Sequence, residues 1–256
     1  MKVAVVGPNS ELGKLLVREL EVKKHDVFTW SRTSSRESNH YFNIDEGFSG
    51  STEGLQAIFI LAWKQEPRNR ATFEANISAI GSLIEDAHKH KVKVIFISTL
   101  GAGTSSESFH VLGKQTIEHL LLPFDSIIRP ASITNDSGSL AGNVKWIEKF
   151  ALPIQFSFNP DLYIAKVNIN KVVSVCISEL SSEKLDSSLT LIDELTTLSI
   201  GNSKTTYLRF SINQEIASFI FKQLNSLPIR VLKDISDKWN ALLSAQKVIH
   251  AYRGRD

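Results

Sequence analysis

Lys2-Val-Ala-Val-Val6, Gly7-Pro-Asn-Ser-Glu-Leu-Gly13 and Lys14-Leu-Leu-Val-Arg-Glu-Leu20 run on from one another without a break. The first piece is a short apolar run of the kind that forms a buried parallel strand. In the third, Leu15, Leu16 and Leu20 continue a helical spacing begun at Leu12, which predicts a helix starting near Ser10 or Glu11. Between them, Gly7 and Gly13 bracket the turn, with Ser10 midway in a G-x-x-x-x-x-G frame. Glycines in a βα turn permit a tight bend and a close approach of backbone to a pyrophosphate. The helix N-terminus behind them offers N–H groups and a positive dipole end. The plain alternative is a strand, a turn and a helix with incidental glycines, so the neighbouring elements must decide.

The 256 residues suffice for one large α/β domain, or a domain with a small cap. A formal charge of +2 gives no electrostatic footprint for nucleic acid or a membrane surface. The one cysteine, Cys176, rules out an internal disulfide and sits among Val172, Val173, Ile177 and Leu180 as a core filler. No leader segment is evident, and no apolar run approaches the ~20 residues of a membrane helix. The expectation is a soluble, cytoplasmic protein.

Further along, strands and helices alternate. His25–Trp30 reads as a strand, with Ser31-Arg32-Thr33-Ser34-Ser35 after it. An NAD site usually has a carboxylate here for the ribose hydroxyls. An arginine among hydroxyls suits a 2′-phosphate instead, because guanidinium supplies charge and a planar donor fork. A polar surface loop is the plain alternative. His40–Ile44 reads as a third, short strand ending at Asp45, and 47–54 holds at most a short helix. Leu55–Ala62 is a strand apolar on both faces, placing Trp63 and Lys64 at the carboxyl edge of the sheet, where ligands bind in open α/β folds. A long helix is predicted over Pro67–His90, with Phe73, Ile77, Ile80, Ile84 and Ala87 on one stripe. His88 and His90 do not share a helix face, so no metal pair is expected there. Val92–Ile97 is a strand leading to Ser98 and Thr99, then come a helix over Ser106–Leu122, a strand over Phe124–Arg129, and Pro130. This alternation predicts a doubly wound parallel sheet with right-handed crossovers.

The order of these features resembles the short-chain dehydrogenase/reductase superfamily, in its extended or atypical, epimerase/dehydratase-like branch. Gly7, Ser10 and Gly13, with Asn9, Glu11 and Leu12 between them, lie on that family's glycine turn. Ser31 and Arg32 lie where its NADP-using members hold the 2′-phosphate, and Asp45 where an aspartate contacts adenine. Leu61, Ala62 and Trp63 lie where that family's fourth-strand edge flanks the cofactor ribose. The Asn76–Ala87 segment is similar to the family's N-x-x-G-x-x-N-L-L-E-A-A helix, Ile97-Ser98-Thr99 to its I-S-S strand end, and Arg129-Pro130 to its R-P segment beside the nicotinamide. The resemblance implies that Ser98 or Thr99 polarises the substrate oxygen and that Lys114 holds the ribose. The family's Tyr-x-x-x-Lys pair works because residues four apart share a helix face. Here the lysine is Lys114, but the tyrosine position is His110. Three roles stay open. His110 is the acid/base in place of tyrosine, since imidazole transfers protons near neutral pH. Alternatively another group serves, with Tyr163 and Tyr207 candidates by type, or the site binds cofactor without turnover. A surface histidine is the plain alternative.

Beyond Pro130 the alternation loosens. Helices are predicted over Ser139–Phe150, Asn168–Leu180, Asn213–Asn225 and Ser236–Tyr252, and strands over Pro153–Phe158, Ser187–Ile192 and Leu227–Leu232. The expected organisation is a Rossmann core over 1–135 and a small C-terminal substrate cap over 136–256, interleaved with the core in one unit. Trp63, Lys64, His110, Asn143, Lys145 and Trp146 are expected to line the substrate pocket, and Arg68 and Arg70 are candidates for an anion. The resemblance implies an NADP-dependent (less so NAD-dependent) oxidoreductase or epimerase acting on a carbonyl/alcohol of a small substrate, with a nucleotide sugar among the candidates. Its alternative is a non-catalytic NADP-binding sensor or structural subunit. A homodimer through the two long helices is implied by analogy.

Overall fold

The computed structural model describes residues 1–32, 41–65, 69–135, 154–159, 163–183, 185, 187–197, 199–200, 208–213, 215–217, 219 and 230–253. The apolar runs become strands β1 (Lys2–Val6), β2 (Asp26–Trp30), β3 (Ala57–Ile60), β4 (Lys93–Ile97) and β5 (Ser126–Pro130). Three helices alternate with them: α1 (Glu11–Val22), α2 (Arg70–Lys89) and α3 (Phe109–Glu118). The central sheet has the order β2-β1-β3-β4-β5-β9, where β9 is Ser187–Leu191, and its first five strands pair in parallel. Val3–Val6 and Ala57–Ile60 are fully buried, as expected of strands whose two faces are both covered. Leu16 and Leu20 of α1 and Ile80, Leu83, Ile84 and Ala87 of α2 supply the covering stripes. The strand order reverses between β1 and β3, the topological switch point at whose carboxyl side such sheets bind ligands.

Two expected strands do not appear among the described residues. Over 41–44 there are only isolated bridges, Ser31 to Tyr41 and Asn43 to Gly47. Asn43 explains this: its Oδ1 accepts from Asp45 N at 3.2 Å and its Nδ2 donates to Glu46 Oε1 at 2.9 Å, so an Asx-type turn replaces the ladder. Residues 230–232 belong not to an edge strand but to a helix, α5 (Arg230–Arg253). The helix predicted from Ser106 begins only at Phe109. Leu100–Gly103 is a 3₁₀ turn, and Ser106 Oγ accepts from Ser108 N at 3.0 Å. The helix predicted over 139–150 and most of that over 213–225 lie outside the described residues, as do Pro67, Arg68, Asn143, Lys145, Trp146 and Tyr207.

The chain divides into two units by its internal contacts: Met1–Thr99 with Phe109–Arg129 and Asn170–Thr190, and Leu100–Ser108 with Pro130–Ile169 and Leu191–Asp256. Helix α4 (Ile169–Ser178) returns to the first unit, because Lys93 Nζ donates to Glu179 O and Ser182 O, both at 2.7 Å, and Ser126 Oγ donates to Glu179 Oε2 at 2.6 Å. The second unit holds two three-stranded sheets. One is β10-β8-β6, from β6 (Ser132–Thr134), β8 (Tyr163–Asn168) and β10 (Glu194–Thr197). The other is β11-β7-β12, from β7 (Ile154–Asn159), β11 (Ser199–Ile200) and β12 (Leu208–Asn213). In the same unit α5 ties down the 100–108 segment: Thr104 Oγ1 donates to Ser244 O at 3.1 Å and Ser244 Oγ to Ser106 Oγ at 2.6 Å.

Asp125 is the polar anchor of the first unit. Its side chain is fully buried, Oδ1 accepts from Val94 N at 2.8 Å, and Oδ2 accepts from Leu122 N at 2.8 Å and lies 2.8 Å from His88 Nε2. Asp125→Ala strands two backbone donors, each worth about 1–3 kcal/mol when buried without a partner. A destabilisation of about 3 kcal/mol is expected by urea denaturation. An unchanged midpoint would contradict the anchoring role.

Candidate functional site

The site begins at the carboxyl end of β1. Gly7 adopts φ 91°, and its N–H donates to Trp30 O at 3.1 Å. A Cβ at Gly7 would lie 2.8 Å from Ala62 N, and one at Gly13 would lie 2.4 Å from Gly7 O. Neither place admits a side chain. Ser10 is the N-cap of α1: its Oγ accepts from Gly13 N at 3.0 Å and donates to Gly7 O at 3.1 Å. The hydroxyl therefore locks the turn across its mouth. Asn9 is exposed beside it, and Glu11 places a carboxylate in the first helical turn. Leu12 is buried, so only its backbone can meet a ligand. The shape of this turn fits a pyrophosphate at a helix N-terminus, while Ser10 and Glu11 narrow and charge its mouth.

On one side of the turn, Ser31 bridges Tyr41 and Arg32 is exposed directly after β2. Thr33–Ser35 lie outside the described residues. Asp45 is half-exposed and accepts from the Lys64 ammonium. On the other side, Leu61 N and Ala62 N both donate to Val6 O at 3.0 Å. Asn76 then holds the loop backbone: Lys64 N donates to its Oδ1 and its Nδ2 donates to Lys64 O, both at 2.9 Å. The only sequence signal for this clamp is a polar residue on the buried stripe of α2, four residues before Ile80.

The carboxyl end of β4 carries the remaining groups. Ser98 N donates to Ile128 O at 2.8 Å, whereas Ser98 Oγ is buried with no hydrogen-bond partner among the described residues. Thr99 next to it is half-buried. Lys114 is 4% exposed; its Nζ donates to Ile97 O at 2.7 Å and lies 4.3 Å and 4.6 Å from the ring centroids of Trp63 and Phe96. Burial pushes its pKa down to about 7, against the opposing pull of the Glu118 carboxylate. Trp63 sits against Gly113, where a Cβ would lie 2.9 Å from the indole, and meets the His110 ring edge-on at 5.8 Å. Trp63, Lys64, Phe73, Phe109 and His110 line a shallow cleft open to solvent. Pro130 is buried at the end of β5. Tyr163 belongs to the second unit, where its N–H and C=O pair with the Gln246 side chain. Arg70 pairs with Glu74 at 2.7 Å on the surface. His88 and His90 are spent on Asp125 and on Thr52 with Asp86. Among the described residues no helix is long and apolar enough to cross a membrane.

Lys114 has a pH consequence. Between its folded pKa of about 7 and the ordinary 10.5, the unfolded chain holds a proton that the folded chain has released. The unfolded state then binds more protons, so this group's contribution makes stability rise with pH through that window. Above about pH 9 the buried Cys176 thiol, pushed up to about 12, acts in the opposite sense. The difference in stability between wild type and Lys114→Met is therefore expected to move in favour of wild type from pH 7 to 8.5, measured by chemical denaturation. A difference independent of pH would show that folding does not lower the Lys114 pKa.

No family model matches the chain, and no curated protein matches it. Solved structures do. UDP-N-acetylglucosamine 4-epimerase from Bacillus cereus superposes with a TM-score of 0.59 at 13% identity, over 84% of this chain and 87% of that one. dTDP-glucose 4,6-dehydratase from Bacillus anthracis, solved with NAD, gives 0.56 at 11%, over 87% and 90%. The protein solved as gox2253 gives 0.62 at 14%, over 99% and 98%. At such identities the likeness shows the fold, which is the Rossmann-type α/β fold of NAD-dependent epimerases, dehydratases and reductases.

Proposed function

We propose that the chain binds a nicotinamide dinucleotide and works as an oxidoreductase or epimerase on a carbonyl/alcohol of a small substrate, with a nucleotide sugar as the substrate class. The observation that carries this reading is the turn at the switch point: Gly7 in a left-handed conformation, Gly13 packed on it, and the N-terminus of α1 behind both. The Ser98 hydroxyl, without a hydrogen-bond partner among the described residues, supports the oxygen chemistry, because a buried hydroxyl left unpaired costs about 1–3 kcal/mol that a substrate oxygen relieves. The substrate class is that of the epimerase and the dehydratase that share the fold. When bound, the nicotinamide supplies a hydride acceptor and donor. Ser98 or Thr99 polarises the substrate oxygen, His110 moves its proton, Lys114 holds the ribose, and Asp45 meets the adenine. Arg32 alone supports NADP over NAD; the dehydratase from Bacillus anthracis was solved with NAD, so the comparison lends no weight to either.

A second reading, cofactor binding without turnover, is favoured by one observation: the Lys114 ammonium is committed to Ile97 O and sealed under Trp63. Titration of the purified protein with NADPH and NADH, followed by nicotinamide fluorescence, tests both. Arg32→Ala is expected to weaken NADPH binding about tenfold or more, the worth of one charge-assisted hydrogen bond, and NADH binding by much less. Equal losses would remove the 2′-phosphate assignment. His110→Phe is expected to abolish turnover and leave NADPH affinity nearly unchanged. Tight binding with no turnover in the wild-type protein on carbonyl and sugar-nucleotide substrates would select the second reading.

A further inference from the structure

Two adjacent residues of the loop after β3 occupy the groups that the dinucleotide reading assigns to opposite ends of the cofactor. Trp63 lies over the Lys114 ammonium, 4.3 Å from ring centroid to Nζ. Lys64 reaches the other way and pairs with Asp45. With Lys114 4% exposed, a ligand hydroxyl reaches Nζ only after the indole leaves. With Asp45 paired, an adenine amine competes with an ammonium for the same carboxylate. The backbone around these two side chains is anchored. Ala62 N is bonded to Val6 O before them, and both backbone groups of Lys64 are bonded to Asn76. The two side chains are therefore the movable parts on a fixed base.

Resting on the dinucleotide reading, we propose that Trp63 and Lys64 form a strap closed over the cofactor groove, admitting a dinucleotide when the indole swings off Lys114 and the Lys64 ammonium leaves Asp45. The two halves respond to different conditions. The Lys64–Asp45 pair, 35% and 52% exposed, is open to screening by salt. On the other side Lys114 is buried beneath a partly exposed Trp63, so its ammonium is less open to screening. Release is a population shift, and a groove closed nine-tenths of the time lowers apparent affinity about tenfold.

The test uses the purified full chain, with Trp63→Ala and Lys64→Met beside the wild type. Acetylation of Lys114 by acetic anhydride is followed by peptide mass spectrometry at a pH near the ordinary lysine value of 10.5, where a large share of the amine is neutral with or without the indole, and association of NADPH and NADH by stopped-flow fluorescence. Trp63→Ala is expected to raise the Lys114 acetylation rate about tenfold. Both variants are expected to bind dinucleotide several-fold faster than wild type, and the advantage of Lys64→Met should shrink as salt rises from about 50 to about 300 mM. If both variants bind at the wild-type rate, or Lys114 acetylation is unchanged in Trp63→Ala, the strap is overturned and the cofactor reading stands. If no protein binds either dinucleotide even where Lys114 has become reactive, the cofactor reading falls and the strap falls with it. Should Trp63→Ala fail to fold, Lys64→Met decides alone through its association rate, since it alters a partly exposed side chain.

Discussion

The Val6 carbonyl accepts from two successive amides, Leu61 N and Ala62 N, each at 3.0 Å. This fork ends the pairing of β1 with β3 and turns the chain out of the sheet at the switch point. The groups of the site on either side take their places from it. The next residue on one side is Gly7, which must be glycine because Ala62 N stands where its Cβ would go. The next residues on the other side are Trp63 and Lys64, sent toward α3 and toward Asp45. The glycine turn and the loop opposite it are two consequences of one pair of hydrogen bonds.

Lys114 shows how opposing terms are settled in the same unit. Burial disfavours its ammonium, and Glu118 one turn along α3 favours it. Desolvation wins because Glu118 is already engaged: Arg129 Nε and Nη2 donate to its two carboxylate oxygens at 2.9 and 2.7 Å. A carboxylate neutralised by a guanidinium fork has little field left for a second cation. The Ile97 carbonyl and two aromatic faces hold the ammonium without restoring what water would give.

The sequence made the sheet legible wherever burial on both faces demanded continuous apolar runs, as in β1, β3 and β4. It made α1 and α2 legible through their helical stripes, with Ser10 marking the start of α1; α2 begins at Arg70 behind the N-cap Asn69, later than the expected start at Pro67. It misled at 41–44, where strand-like Tyr41, Phe42 and Ile44 were outvoted by the side-chain turn of Asn43. It misled again at 230–232. There Val231 and Leu232 look strand-like in a short window, but they open a helix that continues to Arg253. Within the site, the turn was readable because its residues are neighbours in sequence. Trp63 over Lys114 and Lys64 with Asp45 join residues 51 and 19 places apart, and no local pattern announces such pairs.

Gly7 and Gly113 are far apart in sequence, yet the same short loop explains both. A Cβ at Gly7 would strike Ala62 N at 2.8 Å, and a Cβ at Gly113 would strike the Trp63 ring at 2.9 Å. The Ala62-Trp63 segment is thus wedged between two places where the chain has no side chain, one at the end of β1 and one on α3. The two walls are unequal. At Gly7 the obstacle is backbone held by hydrogen bonds, and the φ of 91° is one that other residues rarely adopt, so that wall cannot yield. At Gly113, a helical residue without a positive φ, the obstacle is the side chain of Trp63 in the loop, and a ring can turn about its own bonds. Motion in the loop must therefore be taken up at the α3 wall, by rotation of the indole, while the Val6 fork holds the backbone still.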